Sequence, residues 1–450
     1  MLNKKNRKII SILSAVFVIV LIFSSLWVMI KGGYDKQNKI ILVLKEFIPT
    51  NISRKIRDTV LYIPKLQEEK ELLKLIVDKY EQKYEGKLIK EEKIKSSNNK
   101  FYNLKEFFIP FDRIDLTKGW NTDANTFTKH YLEIVDNNVL VISGRGETIF
   151  FEKKNVLTDK LKQVQINNNI NNIIKESNID FFGIRDLFLS SDKKLYISFY
   201  FKDNKGYSLN IYHADMNLEK LNFKVFYKSD LYWDKFTVRT GGRITEFKDN
   251  KILLTLGDFA DEINPQNINS LKGKIISIDK LTRKHEILSI GHRNPQGIFY
   301  IKEKDVIVNS EHGPKGGDEI NINFQKSDKI PNYGWAVSSY GTTYGNEAIY
   351  KDSHKKFGFI EPFKKYVPSI GVSQIDFNIN TQKEYEFFIS SLRAASIYKM
   401  KVNNSLNKII NEERIYFPDQ RIRDLKYDEE TSSLFIIFEA IPSIAILKLN

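Results

Sequence analysis

Arginine recurs in this chain at a spacing that invites chemistry. Arg185, Arg239 and Arg293 follow one another at intervals of 54 residues, with Arg243 and Asn294 beside the last two and Arg421 with Arg423 further on. A guanidinium offers a planar fork matched to carboxylate or phosphate. One such residue is most simply a structural salt bridge, whereas several at equivalent positions point to an anion site. The 70 basic against 56 acidic residues, a formal charge of +14, also suit an anionic partner. A lipid headgroup, nucleic acid, an acidic polysaccharide or a polyanionic cofactor would serve, and so would no partner at all, the excess being a lysine-rich surface. No zinc-finger spacing or RNA-binding aromatic motif supports nucleic acid. Cysteine is absent, which excludes disulfides, thiolate metal sites and cysteine catalysis.

The elements that must position these residues repeat in pattern. A short apolar strand, a polar turn and a stronger apolar strand recur at Leu132–Val135 and Val139–Ser143, at Leu187–Leu189 and Leu195–Phe201, and at Ile244–Phe247 and Ile252–Leu256. They recur again at Ile298–Ile301 and Val306–Asn309, at Ile375–Phe377 and Tyr385–Ser390, and at Leu425–Tyr427 and Leu434–Phe438. With further strands after most pairs, each unit holds about four strands at a period near 50, as a propeller blade requires. Six units predict an all-β, six-bladed propeller. Loops entering each innermost strand meet at the mouth of the central channel, so His130, Arg185, Arg239 and Arg243, Arg293 and Asn294, Ser373 and Gln374, and Arg421 and Arg423 are expected there.

Ahead of the repeats, Ile9–Ile30 runs without a charge for long enough to cross a bilayer as a helix. Lys4, Lys5, Arg7 and Lys8 favour a cytoplasmic N-terminus and a propeller on the extracytoplasmic, periplasmic side. A cleaved signal peptide fits less well, because no small-residue cleavage site follows. Residues 52–84 show helical periodicity, and Lys87–Lys100, nearly all polar, reads as a linker. The organisation expected is a tip and transmembrane anchor over 1–31, a helical stalk and linker over 32–100, and the propeller over 101–450.

The stretches GGRITEFKDNKILLTLGD (241–258), NSLKGKIISID (269–279), GHRNPQG (291–297), SEHGPKGGDEINI (310–322), NYGW (332–335) and RIRD (421–424) resemble the glucose/sorbosone dehydrogenase family of quinoproteins. The resemblance is good from about 183 to 450 and faint over 130–182. It implies a propeller that oxidises aldoses or related alcohols by hydride transfer to pyrroloquinoline quinone (PQQ), with calcium supporting the site. It implies that Arg293 and Asn294 contact the quinone, that Arg421 and Arg423 grip its carboxylates, and that Arg393 stands near the family's cationic cofactor contact. Gly313, Pro314, Glu319 and Tyr333 resemble the calcium shell, where carbonyls and a carboxylate suit a hard cation.

The departures bear on activity. The family's general base is a histidine two residues before the Gly-Gly-Arg element, and here that place is held by Arg239, with Val238 in place of its acidic neighbour. Arginine stays protonated and accepts no proton at ordinary pH. The blade that offers the quinone a polar contact in the family has Phe181-Phe182-Gly183. Three readings stand: an active membrane-anchored sugar dehydrogenase with His130 as relocated base, with Arg239 joining the cofactor-binding arginines; a catalytically silent propeller that binds an anionic ligand or acidic glycan; and a scaffold whose mouth arginines serve a protein partner. His292 and His312 lie inside family motifs and read as structural.

Overall fold

The computed structural model describes residues 85–109 and 129–449, apart from 249, 326–328, 346–348, 381–382 and 440–442. The chain divides into two compact units, Met1–Val77 and Asp78–Asn450, and every described residue lies in the second. The apolar run Ile9–Ile30 and the helical pattern of 52–84 lie outside the described residues. Among the described residues no helix is long and apolar enough to cross a membrane.

Six sheets form, antiparallel except where Lys220–Leu221 joins Val164–Asn168 in parallel, and their innermost strands are His130–Val135, Phe181–Leu189, Gly241–Phe247, Pro295–Ile301, Val372–Ile379 and Ile422–Asp428. Each neighbours the next and the last neighbours the first, so the ring is closed. The expected strand starts each fall within these six strands. In every blade the first hairpin turns through a non-glycine residue in the left-handed region: Asp136, Lys193, Lys248, Asp305, Lys383 and Ser432, with φ between 49° and 58°. Apolar residues of the strands meet those of the neighbouring blade in six separate clusters, one per blade-to-blade seam. Alternation therefore works on both faces of each sheet, which is why the units read as strong apolar strands.

The stretch from 87 to 100 corrects the sequence reading. Glu85–Lys95 is a strand and pairs with Phe101–Phe108, which in turn pairs with the last strand, Ser443–Lys448. The sixth blade is thus completed by residues that precede the first, and the propeller takes in residues 85–100 as well as those from 101 on. Lys and Glu dominate this strand because it lies on the outer side of the sheet, while Gly86 and Ile94 turn inward. The long interval between the fourth and fifth units is filled by the connection between Asp318–Phe324 and the short strand Lys364–Tyr366, which carries the NYGW motif and His354.

Candidate functional site

Five of the six innermost strands carry a bulge at their leading end, at Ile184/Asp186, Gly241/Ile244, Pro295/Gly297, Val372/Ile375 and Ile422/Asp424. A bulge re-aims the side chains around it, and the residues affected are those singled out by the repeats: Arg185, Arg243, Gln374 and Arg423. Gly242 (φ 105°) is needed here, because a Cβ would come within 2.6 Å of the Arg185 Cβ.

Arg243 does not face a ligand. Its Nη1 donates to Asp186 Oδ1 (2.8 Å) and Asp424 Oδ1 (2.9 Å), its Nε to the Gln296 carbonyl (2.7 Å) and its Nη2 to the Arg423 carbonyl (3.1 Å). The side chain is 2% exposed and stacks on Tyr131. It ties the second, third, fourth and sixth blades together at the channel axis. Below it, Glu133 pairs with Lys426 (3.2 Å) and, with Asp376, lines a channel cavity of about 120 Å³.

At the mouth, cations converge. Burial and then Arg293, Arg423, Arg421 and Lys129 push the His312 imidazole down to about 3, so it is neutral. Burial and the neighbouring Arg185, Arg423 and Arg421 hold the Lys129 amine well below its ordinary value. Burial works against ionisation of Glu439, yet Arg423, Arg421 and Lys129 bring its carboxyl below the usual range. Arg423 Nη2 grips Glu439 in two bonds (2.9 and 3.1 Å), and Arg421 Nε is 3.7 Å away. Arg293 Nη1 donates to the carbonyls of His312 (3.1 Å) and Gly313 (2.6 Å), with its guanidinium near the Trp335 ring. Arg393 Nη1 donates to the Ser369 carbonyl (3.2 Å). The Nε atoms of Arg293 and Arg423 are buried without a hydrogen-bond partner, and the three buried nitrogens of Arg185 have only the Tyr131 phenol beside them.

Arg239 is committed to carboxylates. Its Nη1 lies 3.2 Å from Asp258 and 3.4 Å from Glu262, so its charge is largely offset. Asp258 also accepts from Trp335 Nε1 (2.8 Å), and burial lifts its carboxyl to about 6 although Arg239 and Arg293 oppose this. Asn294 Oδ1 accepts from the Gly241 backbone and from Gln296, which fastens the turn into the third blade. His130 is buried in the first innermost strand, in register with Ser143.

The four residues matched to a calcium shell all make contacts within the protein. The Gly313 carbonyl holds Arg293, the Pro314 carbonyl accepts from Ser369 (3.3 Å), and the Tyr333 hydroxyl donates to the Ile322 carbonyl (3.0 Å). The Glu319 carboxylate lies 3.2 Å from His354 Nε2, and burial notwithstanding, Glu319 and its neighbours raise the His354 pKa. Sequence reasoning overlooked Lys129, Asp258, Glu439 and His354. Asp258 and Glu439 stand in loops between second and third strands. Antiparallel pairing opens those loops at the same end as the strand-leading loops, and that signal was available in the repeats.

A bulge-set cationic mouth on a six-bladed ring carrying the GHRNPQG, EHGPKGGDEIN and NYGW motifs defines a family. A sequence model of glucose/sorbosone dehydrogenases matches residues 131–443, and the chain belongs to that family. An aldose sugar dehydrogenase of Escherichia coli is 29% identical over 205 residues, covering 41% of this chain and 53% of that protein. The chain spans about half the length of the curated relatives it matches. In structure it resembles the apo form of a soluble aldose sugar dehydrogenase from Escherichia coli, with a TM-score of 0.58 and 20% identity over 72% of this chain and 97% of that one. It also resembles the PQQ-bound form of an aldose sugar dehydrogenase from Streptomyces coelicolor, with a TM-score of 0.51 and 16% identity over 71% and 98%.

Proposed function

We propose that the mouth binds PQQ or a similar planar polycarboxylate beside a sugar, and that proton removal from the sugar is crippled at Arg239. The observation that carries this is the contrast at the mouth: buried guanidinium nitrogens remain unpartnered on Arg293 and Arg423, while the family's proton acceptor is a cation held by Asp258 and Glu262. Arg293, Arg393, Arg421 and Arg423 would hold the carboxylates and Asn294 the polar edge of the ring system. The bound quinone would supply a hydride acceptor for oxidation of a sugar C–OH. The chain's own residues bind and orient, and the hydroxyl proton finds no acceptor at position 239. General-base assistance is worth about 10²–10⁴ in rate, so only slow oxidation of aldoses is expected.

The assay is quinone binding by absorbance and calorimetry, with dye reduction over an aldose panel. Quinone binding that weakens with salt, together with feeble turnover that Arg239→His raises, supports the reading. Brisk glucose oxidation by the wild type overturns it, and loss of that activity in His130→Ala would install His130 as the base. If quinone fails to bind while another polyanion or an acidic glycan does, the silent binding propeller is the function. The apolar run Ile9–Ile30 supports anchoring at the membrane with the propeller outside the cytoplasm. Carbonate extraction and protease accessibility of intact cells test it.

A further inference from the structure

The mouth arginines differ in one respect that the family resemblance does not explain. Arg293, Arg393, Arg421 and Arg423 each have a carbonyl or carboxylate of the protein within reach. Arg185 has neither. It is 4% exposed, and its Nε, Nη1 and Nη2 reach no carbonyl or carboxylate; the polar group beside them is the neutral Tyr131 phenol. The Tyr131 and Tyr200 phenols favour its charge, and the guanidinium stacks on the Tyr200 ring at 4.9 Å. Neither supplies a negative counter-charge. Leaving a buried cation unpaired is costly, and the fold goes out of its way to keep this one: a bulge turns the strand at Arg185, and Gly242 clears the space beside it.

Its location tells what would neutralise it. Tyr200 accepts from the Thr237 backbone through its hydroxyl (3.2 Å), and Thr237 in turn caps the Arg239 backbone amide (3.1 Å). Arg185 therefore borders the 237–242 corner, where the family's base meets the sugar hydroxyl. The arginines matched to the quinone come from the fourth, fifth and sixth blades. Lys129 and Arg423 lie near enough to Arg185 for their charges to act on one another.

We propose that Arg185, supported by Lys129, is an oxyanion subsite for the sugar itself, so that this mouth selects a monosaccharide carrying a carboxylate or phosphate over a neutral aldose. A neutral sugar can accept hydrogen bonds from the guanidinium but cannot offset its charge. A carboxylate can take two parallel bonds from the fork, each stronger than a neutral one. This rests on the sugar-binding part of the proposed function and is independent of turnover.

Calorimetry on the full chain, quinone-free and quinone-loaded, would compare glucuronate, glucose 6-phosphate and glucose at low and high salt. At least one acidic sugar is expected to bind tenfold or more tightly than glucose, with salt weakening it, and the two acidic probes separate carboxylate from phosphate. Arg185→Met should abolish that preference while quinone affinity stays within about threefold, and Arg185→Lys should keep part of it. Equal affinity for all three sugars, or an acid preference unchanged in Arg185→Met, overturns the proposal. Loss of quinone binding in Arg185→Met with sugar binding intact also overturns it, by assigning Arg185 to the quinone. If no form binds quinone, the proposed cofactor falls, yet the sugar comparison on the quinone-free protein still decides this subsite. Arg185→Met should melt no lower than the wild type without ligand, because methionine replaces an unpaired buried charge.

Discussion

Removing Arg243 should unfasten the ring from its axis. Its guanidinium serves two buried carboxylates, Asp186 and Asp424, and two backbone carbonyls from other blades. Taking one partner from a buried pair costs about 3–5 kcal/mol, mostly because the remaining charge is left uncompensated. Here a single side chain compensates two carboxylates, so Arg243→Met is expected at the upper end, about 5 kcal/mol. Against a total stability of about 5–15 kcal/mol, that is a third or more. Urea unfolding followed by tryptophan fluorescence reads the loss. The origin of the loss is tested by adding Asp186→Asn and Asp424→Asn to Arg243→Met. If uncompensated charge is the cause, the triple variant recovers at least half of the deficit. A cost of under about 1 kcal/mol for Arg243→Met, or a triple variant no more stable than the single one, would refute the account of Arg243 as an electrostatic hub.

Asp258 sets a pH dependence. Its folded carboxyl is held up at about 6 against an ordinary 3.8, so its contribution is fully present below 3.8 and is lost as pH rises through 6. Melting temperatures between pH 4 and 7 should fall less steeply in Asp258→Asn than in the wild type. Calcium at millimolar concentration should leave the melting temperature unchanged, since Glu319 and the Gly313 carbonyl are already engaged; a rise that vanishes in Glu319→Gln would restore the metal site. Phe107→Ala, in the strand that completes the sixth blade and is 0% exposed, should cost about 3–5 kcal/mol in urea unfolding. A cost near zero would mean that this strand does not clasp the ring.

How much of this was legible in the residues depends on where each signal arises. The six units could be read because each blade buries both faces against neighbours, so apolar strands announce themselves whatever the letters between. The strand Glu85–Lys95 could not, because its outer position fills it with lysine and glutamate, and composition alone makes it a linker. The mouth arginines were legible as a set, since repeats place equivalent positions together. Their individual states were not. Arg243 is occupied by aspartates 57 and 181 residues away, Arg239 by a loop on its own blade, and Arg185 by no carbonyl or carboxylate among the described residues. Those differences arise from partners that lie far along the chain or in a loop after the next strand, which no local pattern encodes.

The clasp of the sixth blade has a consequence for assembly. Asn103 faces Lys448, so the ring shuts only when the two ends of the propeller meet. The entropy of closing so long a loop exceeds that of closing one blade-length loop by only about 1.6 kcal/mol, since the cost grows with the logarithm of length. The delay is therefore in time rather than in free energy. Until residues 443–448 emerge, Phe101–Phe108 presents an unpaired strand edge, and the blade made last presents an apolar face that its neighbour has yet to cover. Exposed edges template pairing with other chains. A chain stalled after its fifth blade is thus a crescent with two adhesive ends, and synthesis speed or a chaperone that covers the early strand would govern how many chains close on themselves rather than on one another.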